Sequence, residues 1–305
     1  MNHLNYGLAT LLMTASFQVF AADSDSLAND GSIPEPAVIS GNLIDNGYVG
    51  TGNTASLLAL GADTQAMTTT ELQRIARLAP SLPNVEANTA PRAVLGLDTR
   101  VQLKPTVYPY RAIALITTTG VRCTGWMVGA DTVITAGHCV HRGSTGSWYN
   151  LSDYVIYPGH DGTNANYGSC KAKRLYTTEG WALGSEPEYD YAAIKLNCQV
   201  GQATGWLGFA APTTTKNLPA IINGYPIDKS LGQWVGFDSI KKEDSNWSYY
   251  KNDTYSGMSG APVWYDAGKR ALAFAIHTYR VPNFNRGARI NSEVFKNIKT
   301  WKNAQ

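Results

Sequence analysis

The sequence predicts an all-β fold that ends in a single helix, and three observations support this fold class. After residue 93, short runs rich in Val, Ile, Thr and Tyr alternate with Gly, Pro, Asn and Asp, which is typical of strands and turns. Helical periodicity is scarce in this region. It returns only at 292–301, where apolar residues recur at helical spacing behind a capping serine.

About a dozen short strands fit into residues 93–305. That number suits either one large sandwich or two small closed barrels. The segment 201–215, rich in Gly, Ala, Pro and Thr, is the best internal boundary, so we expect domains at 93–200 and 201–305. The predicted strands are 112–118, 124–128, 132–135, 154–157, 171–177, 191–196, 220–224, 234–240, 247–250, 262–265, 271–277 and 287–291.

Residues 1–21 have the pattern of a secretory signal peptide. An apolar run from Leu8 to Phe20 ends at Ala21 in a small-residue cleavage pattern, so we expect cleavage after Ala21. The run is shorter than the roughly 20 residues of a membrane span. Its start carries no Lys or Arg, and a buried core helix is the alternative interpretation. We expect a secreted protein, released outside the cell or held in the periplasm, with no membrane association.

The stretch 22–92 differs in composition from residues 93–305. It has eight acidic and three basic residues, a net charge of −5, and no Cys, Trp or Phe. Such a stretch buries little apolar surface by itself, so we expect loose order, apart from a helix near 70–78 behind capping threonines. We interpret it as a removable propeptide; a flexible linker or a small docking module is the alternative.

The region 93–305 is basic, with 22 Lys or Arg against 15 Asp or Glu and a net charge of +7. The two parts of the chain therefore attract each other. The positive residues are dispersed, which is typical of a solvated surface and does not favour nucleic-acid binding. Attraction for acidic substrates is a further interpretation.

All four cysteines lie in the basic region, as expected of an exported chain whose thiols can pair. Three pairings are possible in principle. A bond between Cys123 and Cys139 would anchor the loop that carries His138, and it would leave Cys170 to pair with Cys198. Because no CxxC or HxxxH spacing is present, we expect no metal site and no cofactor.

Two residues have the surroundings of a catalytic base and its partner. His138 follows the apolar strand 132–135 and directly precedes Cys139, whereas His141 and His160 lack such a frame. Asp190 begins the apolar run 190–196, where its carboxylate would become buried and accept a hydrogen bond from an imidazole. A core histidine and a turn residue are the structural alternatives. Asp153 and Asp161 lie in more polar surroundings and are weaker candidates.

Ser259 completes a candidate hydrolytic triad. It lies in the run Gly257-Met258-Ser259-Gly260, where a glycine lets the backbone turn. The amides of Gly257 and Ser259 would then point at one spot and stabilise the oxyanion of a tetrahedral intermediate. A simple Gly-Ser turn before a strand is the alternative. A serine becomes a nucleophile only beside a base, and His138 supplies that base.

The order His, Asp, Ser, in the frames TAGHC, DYAAIKL and GMSGAPV, resembles the chymotrypsin-fold serine proteases. Other runs narrow the resemblance to the secreted bacterial glutamyl endopeptidases, over essentially all of 93–305. These runs are YPYRAI at 108–113, CTGWM at 123–127, YDY at 189–191, NGYP at 223–226, IHT at 276–278, NRG at 285–287 and EVF at 293–295.

The resemblance implies two six-stranded antiparallel β-barrels with the active site in the cleft between them. It also implies cleavage after glutamate and, more slowly, after aspartate. The family reads the glutamate carboxylate with residues that correspond to His277 and Thr254. An imidazole that can be cationic, beside a hydroxyl donor, suits a carboxylate in a restricted pocket. Met258, often polar in relatives, is expected to alter the entrance to this pocket.

Some members of the family also place the new α-amine of the mature chain near the substrate carboxylate. The matching start here is Ala93 or Val94, just after Arg92, so we expect an activating protease to cut there. The resulting hypothesis is a monomeric, secreted serine endopeptidase made as a zymogen, acting on proteins or peptides with Glu at the cleaved position. A protease with another preference, and a non-catalytic binding module on this scaffold, are the alternatives.

Overall fold

The structure, a computed structural model, describes residues 26–80, 92–144 and 146–305. The predicted signal peptide at 1–21 lies outside the described residues, as do residues 22–25 and 81–91 of the predicted propeptide. Among the residues that are described, no helix is both long and apolar enough to cross a membrane.

The described chain consists mainly of short strands. The helices are α1 (Thr69–Ala76), α2 (Glu179–Gly184), α3 (Gly201–Thr204) and α4 (Ser292–Asn303), with 3-10 turns at Tyr110–Ala112, Gly137–Cys139, Leu151–Asp153 and Pro187–Tyr189. The strands are β1 (Ser26–Ala28), β2 (Ile44–Asp45), β3 (Ala79–Pro80), β4 (Arg92–Ala93), β5 (Val101–Leu103), β6 (Ile113–Thr118), β7 (Val121–Met127), β8 (Thr132–Thr135), β9 (Val155–Pro158), β10 (Cys170–Thr178), β11 (Ala192–Leu196), β12 (Gly208–Ala210), β13 (Pro219–Gly224), β14 (Gln233–Ser239), β15 (Lys242–Glu243), β16 (Trp247–Tyr250), β17 (Thr254–Tyr255), β18 (Pro262–Asp266), β19 (Ala271–Val281) and β20 (Phe284–Arg289).

Six antiparallel strands close a first barrel. The order β6-β7-β8-β11-β10-β9 returns to β6, because β9 pairs with both β10 and β6. Residues of β6, β7, β8 and β11 are buried throughout, so apolar side chains fill the barrel interior. The closed barrel confirms the predicted fold class for this half of the chain.

The second half forms a larger sheet with the order β15-β16-β20-β19-β18-β13-β14-β5. The resemblance implies a six-stranded closed barrel here; in the described chain the two ends of this path do not pair with each other. A register shift between His277 and Tyr279 bends β19. The architecture remains all-β and chymotrypsin-like, with few helices.

Elements from each half cross to the other. Strand β5, from the start of the first half, pairs with β14 of the second sheet. Helix α4 packs back on the first barrel, where the Nδ2 of Asn297 donates to the hydroxyl of Tyr191 at 2.9 Å. Asn291 caps this helix by accepting from the amide of Val294. The two sheets are thereby held against each other, and the candidate catalytic residues lie where they meet.

The segment 26–80 is more ordered than its composition predicts. Its strands pair with strands of both sheets: β1 pairs with β10, β3 runs parallel to β7, and β2 pairs with β12. Helix α1 begins after Thr68, whose hydroxyl accepts from the amide of Glu71. The segment has little core of its own, so its order comes from the surface on which it lies.

Candidate active site

His138 lies just after the end of β8, on a short 3-10 turn that a disulfide anchors. The structure joins Cys123 of β7 to Cys139, with Cα atoms 6.3 Å apart, and it joins Cys170 to Cys198. The His138 side chain is almost completely buried. The strand end and the disulfide together fix the backbone of this histidine.

Asp190 holds His138 at two points. One carboxylate oxygen, Oδ1, accepts the backbone N–H of His138 at 2.7 Å, and the other, Oδ2, lies 2.7 Å from its Nδ1. Asp190 is fully buried. A carboxylate in this position fixes the tautomer with the proton on Nδ1, so that Nε2 is free to accept a proton.

Gly137 allows the close approach of these two residues. A Cβ at this position would lie 2.9 Å from Oδ1 of Asp190 and 2.8 Å from Cδ1 of Trp181. Trp181 packs edge-on against His138, with ring centroids 6.2 Å apart, and its indole N–H donates to the carbonyl of His141 at 2.9 Å. A side chain larger than hydrogen would therefore displace the aspartate or the tryptophan.

The backbone of Ser259 contacts strand β7 and the turn that carries His138. Its carbonyl oxygen accepts the N–H of Thr124 at 2.9 Å and lies 3.9 Å from Sγ of Cys139. The next residue, Gly260, has φ of +85°, and a Cβ there would lie 2.2 Å from Oγ1 of Thr135. The structure therefore brings the serine segment against the end of β8, and Ser259 itself is partly exposed.

The backbone between Gly257 and Ser259 has the turn that the sequence predicts. Gly257 has φ of +95°, a conformation open to glycine. The amide of Met258 donates to the carbonyl of Tyr255 at 3.0 Å, whereas in the described chain the amides of Gly257 and Ser259 have no acceptor. Met258 is fully buried in the second core. It packs beneath this turn.

His277 lies in a buried position with one strong partner. The hydroxyl of Tyr250 lies 2.7 Å from its Nδ1. Burial raises the pKa of Tyr250, so this hydroxyl keeps its proton; it donates to Nδ1 or accepts from it, depending on the tautomer of His277. With the hydroxyl as donor, the imidazole proton is on Nε2.

Burial, reinforced by the charge of nearby His138, lowers the pKa of His277 to about 3. The sequence suggests an imidazole that can be cationic. In the structure it is neutral at physiological pH, because a charged imidazole would lose its hydration without gaining an ion partner. His277 therefore offers a hydrogen-bond donor and no positive charge.

Thr254 is buried beside the predicted mature start. Its Oγ1 has no hydrogen-bond partner in the described chain. Its backbone pairs with Ala93 in the short sheet of β17 and β4. Val94 follows directly and is partly buried. The structure thus places the predicted start of the mature chain against one of the two predicted pocket residues.

Several residues at this site were not identified from sequence. Asp253 accepts the amides of Leu95 and Thr99, at 2.9 and 2.8 Å, and so anchors the segment that follows β4. Tyr279 lies near the triad, with its ring 6.1 Å from that of His138. Burial, and then the charge of Asp190, raises the pKa of Tyr279. Of these residues, only Asp253 had a signal in the sequence, because it directly precedes Thr254.

Comparison with known proteins decides the family. The Trypsin family model matches residues 99–266, more than half of the chain. A glutamyl endopeptidase of Bacillus licheniformis is 38% identical over 224 residues, which cover 70% of this chain and 70% of that protein. The chain belongs to the trypsin family of serine proteases.

Two further matches place this serine protease more closely. A solved structure of a Glu endopeptidase in complex with MPD superposes with a TM-score of 0.63 at 30% identity, covering 68% of this chain and 99% of that one. An extracellular metalloprotease of Bacillus subtilis is 33% identical over 269 residues, 84% of this chain and 79% of that protein. The predicted resemblance to glutamyl endopeptidases is confirmed, and the protein is a serine endopeptidase.

We expect Gly137→Ala to lower the free energy of unfolding by about 1–3 kcal/mol, because the added methyl group overpacks the contact with Asp190 and Trp181. The peptidase kcat should fall by at least about tenfold, since small displacements of a catalytic group are costly. The control is Gly129→Ala, where the nearest atom to the new Cβ is 3.4 Å away. Denaturant unfolding and peptide hydrolysis are the measurements; equal effects of the two variants would contradict the packing argument.

Proposed function

We propose that this chain is the zymogen of a secreted serine endopeptidase that cleaves preferentially after glutamate through an acyl-enzyme. His138 is the general base, Asp190 orients it and Ser259 is the nucleophile. The observation that carries the proposal is the double hydrogen bond of Asp190 to His138, next to a serine whose backbone is held by Thr124. Substrates are then proteins or peptides with Glu, or less readily Asp, at the cleaved position.

The chemistry follows from these positions. Nε2 of His138 accepts the hydroxyl proton as Oγ of Ser259 attacks the scissile carbonyl carbon, and the resulting imidazolium is stabilised by the Asp190 carboxylate. The proton then passes to the departing amine, which leaves an ester on Ser259. Water attacks this ester by the reverse sequence of proton transfers and restores the serine.

The amides of Gly257 and Ser259 would hold the oxyanion of each tetrahedral intermediate. Both donors lie on a turn fixed by the φ of Gly257 and by the bond from Met258 to Tyr255. Donors that are already oriented stabilise the developing charge without reorganisation. Loss of one such donor typically costs about 3–4 kcal/mol of transition-state stabilisation.

Two hydrogen-bond donors, an imidazole and a hydroxyl, support the preference for glutamate. The hydroxyl of Thr254 is buried and has no partner in the described chain, and a carboxylate is a ligand that would satisfy it, with the buried imidazole of His277 as a second donor. Asp is one methylene shorter, so its carboxylate reaches the same donors less well. Because His277 is neutral, these donors alone do not balance the charge of the substrate.

The missing positive charge is consistent with activation by cleavage after Arg92. Ala93 is paired with Thr254, so an α-amine at Ala93 or Val94 would form within this pocket region. In the uncut chain the same atom is an uncharged amide nitrogen. Export is supported by the two disulfides, which persist in oxidising compartments.

A metal-dependent mechanism, which the name of the Bacillus subtilis relative raises, is not favoured by the donor atoms here. Potential ligand atoms of Cys123, His138 and Cys139 lie within 4.8 Å of one another. Both sulphurs are joined in a disulfide, whereas a metal binds cysteine as a thiolate. His138 is already engaged by Asp190. This donor set does not fit a metal ion.

We expect Asp190→Asn to lower kcat by about 10⁴-fold with little change in KM, because the amide favours the wrong tautomer of His138. Asp153→Asn is the matched control, since Asp153 bonds to Thr119 on the protein surface. Steady-state kinetics on the form cut after Arg92 provides the measurement. Similar losses in both variants, or full activity of Asp190→Asn, would rule out the assigned role.

We expect Thr254→Val and His277→Phe each to lower kcat/KM for Glu peptides by about 10²-fold or more, while Gln peptides lose much less. A buried carboxylate needs both donors, whereas an amide loses less when one is removed. Thr117→Val, which alters a buried threonine of the first barrel, is the control. A peptide library cut mainly after Leu, Arg or Phe would instead favour another specificity.

The preference for Glu over Gln should decline as pH rises through the α-amine pKa, about 8 in unstructured peptides. The amine is charged below its pKa and stabilises the bound carboxylate, and this stabilisation is lost above it. His277, with a pKa lowered to about 3, does not titrate in this range. Acetylation of the new N-terminus should abolish the pH dependence of the Glu/Gln ratio; an unchanged dependence would contradict the role of the amine.

A further inference from the structure

The segment of residues 26–80, called here the N-terminal segment, is bound to residues 93–305, called here the body, by strand pairing on both sheets. Three residue pairs join β1 to β10, and two each join β2 to β12 and β3 to β7. Main-chain pairing of this kind is the usual way in which an extended peptide adds to a sheet edge. The N-terminal segment therefore connects the two halves of the protease.

The N-terminal segment also contributes to the main core. Leu57, Ala62 and Ile75 belong to the same cluster of buried apolar residues as the first barrel, and each is at most 4% exposed. Their removal would leave cavities or exposed apolar surface on the body. This burial favours continued association after the connecting peptide is cut.

Polar contacts specify where the segment binds. Asp45, whose carboxylate is 9% exposed, pairs with Lys299 at 3.2 Å and Lys302 at 2.8 Å on α4. Glu71 accepts from the hydroxyl of Tyr157 at 2.9 Å. These contacts agree with the opposite net charges of the two parts of the chain.

A buried histidine forms a further contact. Nε2 of His160 lies 3.0 Å from Sδ of Met67, and burial lowers the pKa of His160 to about 4. Nδ1 accepts the amide of Gly162, so the ring is neutral and packs like an apolar group. The segment therefore buries this histidine, and dissociation of the segment would expose it to solvent.

These contacts lie away from the catalytic residues. Within the described chain, none of the strand pairs, hydrogen bonds or ion pairs of residues 26–80 involves His138, Asp190, Ser259, Thr254 or His277. Their partners are on β7, β9, β10, β12, α3 and α4 and in neighbouring turns and loops. Release of the segment would therefore expose core surface without uncovering the triad.

We propose that the N-terminal segment remains bound as a second chain after the cut at Arg92, and that the two-chain complex is the active protease. This inference rests on the proposed function, since it presupposes that the cut activates. The segment then stabilises the body and does not inhibit it. The uncut chain is inactive because the nitrogen of Ala93, beside Thr254, is still part of a peptide bond. The N-terminal segment does not block the active-site cleft.

The test uses the full chain with a unique cleavage site. Thr89→Ile, Ala90→Glu and Pro91→Gly create the sequence Ile-Glu-Gly-Arg, so a protease of that specificity cuts after Arg92. Elution is measured in a Ser259→Ala background, which prevents self-digestion, and hydrolysis of a Glu peptide is measured with Ser259 present. We expect the two chains to co-elute with Kd below about 1 μM and the co-eluting complex to be active.

Two aspartates of the segment provide a matched pair of variants. Asp45→Lys puts a third cation beside Lys299 and Lys302 and should raise Kd by at least about tenfold. Asp30→Lys faces Arg174 in an exposed ion pair and should change Kd by less than about threefold. Activity per intact body should not rise when Asp45→Lys weakens binding.

Two results would overturn the inference: separation of the chains at micromolar concentration, or activity that appears only after the segment has dissociated. The failure of the proposed function looks different. In that case neither the complex nor the separated body hydrolyses any peptide, and elution still decides whether the segment stays bound.

Discussion

The bond between Asp190 and His138 is the constraint on which the rest of the site depends. A fully buried carboxylate is costly unless it is hydrogen-bonded, and here one oxygen takes the backbone N–H while the other faces Nδ1. Gly137 leaves room for this arrangement, and the Cys123–Cys139 disulfide anchors the turn that carries His138.

The sequence predicts local structure well where the pattern is local. Strands 132–135 and 247–250 match the structure, and the C-terminal helix is extended by two residues, ending at Asn303. The Cys123–Cys139 disulfide and the His138–Asp190 contact were also accessible because motif frames mark them, and the Cys170–Cys198 disulfide followed by elimination. Strands β5 and β12 were missed since each has three residues and depends on a partner distant in sequence.

Burial accounts for the remaining differences. Sequence alone suggested an imidazole at His277 that can be cationic, whereas burial, and then nearby His138, lower its pKa to about 3. Likewise the composition of 26–80 predicted loose order, because its core partners belong to another part of the chain. In both cases the deciding contacts are long-range. Thr254, one of the two proposed pocket residues, pairs with Ala93 at the proposed cleavage point.

The central claim is that Ser259 is a nucleophile activated by His138. Labelling of the cut protein with a fluorophosphonate, followed by peptide mass spectrometry, tests it most directly, because the probe reacts with serines that an adjacent base activates. We expect one phosphonylated residue, Ser259, and loss of labelling in His138→Ala. Labelling at another serine, or none in a folded and correctly cut protein, would contradict it.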